Sequence, residues 1–344
     1  MDRTPTGVIQ WPSLAARDGN MRKVIGVLRE MAVTWGPALA LVILYTAFSI
    51  GDARFASLAN LKTLASQSAI PLILATGMTY VILQGSIDLS VEGVMAVSSL
   101  SCAMLLRNSR TGFDLGVIAL LVGICVGAMF GTLNGILITR LRIPSFMVTL
   151  GIWSVTSGIA MLISGGQPPE IRDMSIRGWA LGETIGVPNL TLVALVCLVI
   201  GYLLQNFTRF GRYTYVIGGS EEIAKLSGVR INFYKVLGFG LCGLTAGLGG
   251  VLESARLGLG HVEIGAQQMF LTLTAVVIGG TSLSGGRGGV IQSAVGVLIL
   301  TVLANGMIFI GVTPYLQKAV QGVIILVAVV AATWRFRARL RVVK

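Results

Sequence analysis

The chain has 344 residues, 54% hydrophobic and 12% charged, with a mean hydropathy of +0.84. Soluble domains carry about a quarter charged residues, and a chain this poor in charge cannot coat a folded surface with polar groups, so lipid must cover much of it. The formal net charge of +12 would suggest nucleic acid on a soluble protein. Here the cations gather at the chain ends and in particular loops, a pattern that fits membrane orientation and anionic lipid and excludes nucleic acid as the partner.

The hydropathy pattern predicts an all-α polytopic membrane protein with about ten transmembrane helices, since about twenty apolar residues cross the hydrocarbon core. In chain order the apolar runs are 31–50, 70–84, 91–106, 115–139, 146–164, 190–205, 236–253, 268–279, 290–311 and 315–334. Residues 1–30 are mostly polar and lack the layout of a cleaved signal peptide. They are expected to form a cytoplasmic segment, followed by one membrane domain at 31–334 and a basic cytoplasmic tail at 335–344. With the N-terminus inside, 18 of the 26 Lys and Arg fall in predicted inside segments, which supports that orientation.

The second run ends in "VILQGSIDLSVEGVMAV", Val81–Val97, where a glycine turn and polar residues interrupt apolar sequence. Irregular backbone at membrane depth survives only against protein or a wet cavity, so a broken or re-entrant segment inside the bundle is expected. Asp88 and Glu92 are four apart, so one helical face could present both. Two readings stand: an ion site of a secondary transporter, or, the stronger one, Asp88 capping a helix that starts near Ser90 while Glu92 sits near the membrane surface.

Asn134, Thr149, Thr272, Thr274 and Asn305 lie within predicted spans. With Asp88 and Ser90 they are the translocation-path candidates, although a hydrogen bond to a neighbouring helix is the commoner role for such residues. Cys102, Cys125, Cys197 and Cys242 all fall in apolar runs with no CxxC spacing, so they are expected to be buried and to form neither disulfides nor a metal site. The prolines and glycines of 165–189 predict a surface loop with room for a short helix. His261, the only histidine, makes no metal site alone.

Residues 206–235 form a predicted cytoplasmic loop containing "YVIGGSEEIAKLSGVRI", Tyr215–Ile231. Gly218 and Gly219 end one element. Ser220 can cap the next, Glu221 and Glu222 complement its dipole, and Gly228 stops it. A helix of about two turns is unstable alone and must pack on its own domain or on a partner's groove; the residues leave both open.

A second break, "VVIGGTSLSGGRGGVIQSAVG", Val276–Gly296, repeats the first: a β-branched run, a glycine turn, then Ser282-Leu283-Ser284 against Asp88-Leu89-Ser90. No GxxxxGK[ST] phosphate loop, HExxH or GxSxG is present. No enzymatic activity is therefore expected, nor any metal or cofactor of the chain's own, and any ATPase must be a separate chain.

Phe210-Gly211-Arg212, Tyr215–Ser220 and Glu222–Val229 resemble the cytoplasmic coupling loop of the permease subunits of bacterial ribose- and xylose-type ABC sugar importers. "IDLSV" (Ile87–Val91), "RIPSFMVTLG" (Arg142–Gly151), "AVVIGGTSLSGGRG" (Ala275–Gly288) and "LQKAVQGVIILVAV" (Leu316–Val329) resemble further stretches of that family, in its order. The resemblance implies a bacterial inner-membrane permease with both termini cytoplasmic. It would carry a monosaccharide or related polyol delivered by a periplasmic sugar-binding protein. Its expected partners are a cytosolic ABC ATPase that binds the ATP and a second permease subunit, in a homodimer or heterodimer, besides membrane lipid. Glu222, Ala224 and Gly228 match the coupling motif, and Gly218, Gly219, Ser220 and Glu221 complete the expected ATPase-coupling segment. The family usually has glycine at the position of Glu92 and two acids where Met269–Ala275 has Thr272 and Thr274. Nucleosides or branched-chain amino acids are the alternative substrates, and ion-coupled secondary transport a more distant one.

Overall fold

The computed structural model describes residues 35–333. The expected segment 1–30 and tail 335–344 lie outside the described residues, as do the outer ends of the first and last apolar runs. Thirteen α-helices follow in chain order: α1 (Trp35–Gly51), α2 (Leu58–Leu83), α3 (Val91–Leu105), α4 (Val117–Leu141), α5 (Ser145–Ser164), α6 (Met174–Leu181), α7 (Asn189–Phe207), α8 (Arg209–Gly219), α9 (Glu221–Leu226), α10 (Ile231–Leu257), α11 (Gln268–Ile278), α12 (Val290–Phe309) and α13 (Pro314–Thr333). Within the described residues, every predicted apolar run falls on a helix. Six of them, α2, α4, α5, α7, α10 and α12, are long and apolar enough to cross a membrane, while α1, α3 and α11 are shorter apolar helices.

Burial orders the bundle. The most apolar stretch of α2 is 89% buried and that of α10 67%, against 33% for α4, 22% for α5 and 28% for α7. Thus α2 and α10 form the centre, and α4, α5 and α7 turn long apolar faces outward, where only lipid or another apolar surface can cover them. Cys125, expected to be buried, lies on the exposed face of α4. Both environments are apolar, so hydropathy alone could not separate core from lipid-facing positions.

Large side chains such as Tyr80, Ile73, Met78 and Phe239 fill the centre, and close backbone contact joins α4 to α10 there. Where α4 crosses α10, a Cβ on Gly243 would lie 2.3 Å from the Gly127 carbonyl oxygen, and one on Gly131 2.7 Å from Gly243 Cα. Small residues at such a crossing let helices approach until dispersion contacts replace the hydrophobic drive that lipid does not supply.

One face of the bundle carries the α3–α4, α5–α7 and α10–α11 connections. They are stitched together by isolated bridges, Asn108 to Ile171 and Glu170 to Leu259. The 165–189 loop contains α6, capped by Asp173, and a two-residue ribbon, β1 (Glu183–Thr184) with β2 (Val187–Pro188). The opposite face carries the α4–α5 turn, both broken segments, α8 and α9.

Candidate functional site

The short charged helix expected after Ser220 is α9. Ser220 Oγ accepts the Ile223 N–H at 3.3 Å, and Gly228 sits at φ +75°, where a side chain would be strained. The Val229 N–H returns to the Ala224 carbonyl and the Gly228 N–H to that of Lys225, so α9 is closed at both ends by local chemistry. Its burial answers which partner its apolar side has within this chain. Ala224 is buried, but Ile223 is 61% and Leu226 88% exposed. Glu221 pairs with Lys235 of α10 at 3.0 Å, whereas Glu222 makes no ion pair among the described residues. We expect Ser220→Ala to cost about 1 kcal/mol of local helix stability, seen as faster amide exchange confined to α9.

Helix α8 seats α9 on the two breaks. A Cβ on Gly218 would lie 1.8 Å from the Leu83 carbonyl oxygen, at the first break, and 2.5 Å from the Gly286 nitrogen, in the second. Those two atoms bond each other, the Gly286 N–H donating to Leu83 O at 2.9 Å. The Tyr215 hydroxyl of α8 donates to the Gly288 carbonyl at 2.6 Å. Burial raises the Tyr215 phenol above its ordinary range. Through α8 alone, α9 is thus joined by packing and hydrogen bonds to both breaks.

The breaks themselves are a structural repeat. In the first, the Gly85 N–H bonds Ile82 O and the Ser86 N–H bonds Val81 O; in the second, the Gly280 N–H bonds Val277 O and the Thr281 N–H bonds Val276 O. Gly85 and Gly280 both have positive φ. Both α2 and α11 thus end in the same Schellman turn. The register is one residue off the alignment that set Asp88 against Ser282. The second break runs longer before α12 starts.

Asp88 does not share a helical face with Glu92, because it precedes α3. It is buried, and its Oδ1 accepts the Ser90 N–H at 2.9 Å and the Ser90 hydroxyl at 2.6 Å. The carboxylate therefore closes a turn just ahead of the helix rather than capping α3 itself. Asn134 of α4 donates to Ser90 Oγ at 2.8 Å, and its own Oδ1 is buried without a partner. Glu92, half-buried, accepts the Gln267 N–H at 3.3 Å and so ties α3 to the entrance of α11.

The structure brings together only three of the seven path candidates: Asp88, Ser90 and Asn134. Thr149 bonds back to Ser145 O in its own helix. Thr274 lines a cavity of about 200 Å³ between α11, α12 and α13. Thr272 is fully buried with an unpaired hydroxyl, and Asn305 lines a separate recess with Arg54 and Asn60. Sequence reading missed two glutamines that fasten the junction. Gln205 Oε1 accepts the Val290 N–H at 2.7 Å, holding the start of α12, and Gln84 Nε2 donates to Tyr234 O at 2.9 Å. A glutamine at the very end of an apolar run was the available signal.

A helical bundle with several membrane-crossing helices, paired breaks and a small amphipathic helix docked on their junction is the architecture of a polytopic membrane permease. Residues 60–329 match the family described as branched-chain amino acid transport system / permease component; the chain belongs to that family and is a multi-pass inner-membrane protein. It is 34% identical to the ribose import permease protein of Escherichia coli (strain K12) over 297 residues, covering 85% of this chain and 91% of that one. It is 38% identical to the ribose import permease protein of Bacillus subtilis (strain 168), covering 88% and 92%. It is 32% identical to the L-arabinose transport system permease protein of E. coli (strain K12), covering 89% and 92%. No solved structure matches the chain.

Proposed function

We propose that this chain is the transmembrane permease subunit of an ATP-driven importer and forms the path for a monosaccharide or related polyol. The observation that carries this reading is α9: a charged helix with Ile223 and Leu226 uncovered, seated through α8 on the one point where both breaks meet. Such a helix suits a groove on a separate ATPase. ATP-driven closure of two ATPases would move two copies of α9, and with them Leu83 and Gly286, shifting the equilibrium between inward- and outward-open states. The membrane domain would comprise about ten spans, the six long helices with α1, α3, α11 and α13. The α8–α9 face and both termini would be cytoplasmic, and the opposite face would receive a binding protein. The second permease subunit would be another copy or a homologous chain.

Ribose and arabinose in the names of the relatives favour a sugar. The family description names branched-chain amino acids, and competition of uptake by unlabelled ribose, arabinose or leucine separates the two. Pull-down of the full chain from its native membrane in mild detergent tests the importer reading. A soluble ATPase should co-purify and be retained about tenfold less well by Glu221→Lys/Glu222→Lys, as expected when interfacial charges are reversed. Recovery of the chain alone, or undiminished ATPase retention by the double variant, would overturn it.

A further inference from the structure

The α8–α9 face holds a groove of about 1310 Å³ between the end of α4, the α4–α5 turn and the start of α10, with α9, Gly85–Ile87 of the first break and Leu283 of the second also on its wall. Arg140, Arg142, Lys225 and Arg230 line it, and none of them pairs with an acid among the described residues; the only carboxylate on its wall, Glu221, is engaged by Lys235. Cations on one concave wall without paired acids give it a positive potential that attracts an anion, and Arg230 also lies over the Phe233 ring, 5.7 Å from its centroid. Arg142 ends α4 at φ +56°, in the left-handed region where glycine or asparagine is favoured.

We propose that this groove binds the phosphate headgroup of an anionic membrane phospholipid. Ile143, Phe146 and Phe233 are exposed apolar residues on the same wall, among polar ones such as Ser86, Thr139, Ser145 and Asn232. Leu141 of α4 and Met147 and Leu150 of α5, the next apolar residues along those helices, are also exposed, so an acyl chain can lie along these faces while the phosphate stays among the guanidinium groups. The groove also lies at the ends of membrane-length helices, the depth of the headgroup layer. A soluble anion would leave these apolar residues bare. The chain's own residues 1–30 are a poor occupant, with five Lys and Arg against three Asp and Glu. The proposal is independent of what the chain transports.

The test uses the full chain in mild detergent, relipidated with equimolar phosphatidylglycerol and phosphatidylcholine, gel-filtered, and assayed for retained lipid by mass spectrometry. Wild type should retain phosphatidylglycerol preferentially. Arg140→Gln/Arg142→Gln/Arg230→Gln should lower that preference about tenfold or more, and the charge-keeping Arg→Lys triple should preserve it. Displacement of the retained lipid from wild type by excess soluble glycerol phosphate should be weak, a measurement that needs no variant. Equal retention of both lipids by wild type, an undiminished preference in the glutamine triple, or ready displacement by glycerol phosphate would each overturn the proposal. So would a glutamine triple that loses ATPase binding while keeping its lipid preference, which would assign the groove to a protein interface.

Discussion

Gly218→Ala should reduce sugar uptake by at least about tenfold while the chain still inserts. The new methyl would occupy a point 1.8 Å from Leu83 O and 2.5 Å from Gly286 N, between two atoms that now bond at 2.9 Å. Backbone lies on both sides, so no flexible side chain can give way. Either α8 lifts or the breaks separate, and overpacking of this kind costs about 1–3 kcal/mol. The loss should fall on coupling, because α8 packs its backbone on the junction and leads directly into α9. Gly158→Ala is the matched control on α5, where a Cβ meets nothing within 4 Å, and uptake there should be unchanged. Labelled-sugar uptake at equal membrane abundance reads the difference. Wild-type uptake by Gly218→Ala would mean that the junction yields freely and transmits nothing.

Asp88→Ala and Asp88→Asn should part company. Alanine leaves the Ser90 N–H without its acceptor in a buried turn, an omission worth about 1–3 kcal/mol, and frees the Ser90 hydroxyl that Asn134 also holds. The turn ahead of α3 then loses the acceptor that closes it, and we expect a lower melting temperature in detergent together with loss of most uptake. Asparagine keeps an oxygen at the Oδ1 position and should retain most of both. If asparagine is as damaging as alanine, the charge or proton of Asp88 is used in transport. The ion-coupled reading would then replace the importer.

These two experiments probe features of different legibility. The helices could be read because hydropathy over about twenty residues is a local property with one solution in lipid. The limits of α9 could be read for a similar reason: the Ser220 cap and the Gly228 turn act within five residues of chain. The glycine turns at Gly85 and Gly280 were visible on the same ground. Their equivalence was recognisable in the pattern, though displaced by one position, because side-chain likeness at Leu89 and Leu283 misled the alignment while hydrogen bonding fixes the true register.

Other features depended on segments that meet only in three dimensions. Nothing near Gly218 in sequence announces that Leu83 and Gly286 will press on it, since each contact joins parts of the chain that pack together only after the bundle assembles. Asp88 and Glu92 looked like one helical face and are not, because the turn at Ser90 starts the helix after Asp88. Thr149, Thr272, Thr274 and Asn305 looked alike as polar residues in apolar runs, yet they ended in separate environments. Cys125 faces outward for the same reason, since lipid and protein core are equally apolar and only packing distinguishes them. The sequence alone determined that this is a helical membrane protein with a capped charged helix between two of its spans. Tertiary structure alone decided that α8, which carries this helix, rests on the junction of both breaks, because that contact is made by backbone atoms brought together from distant parts of the chain.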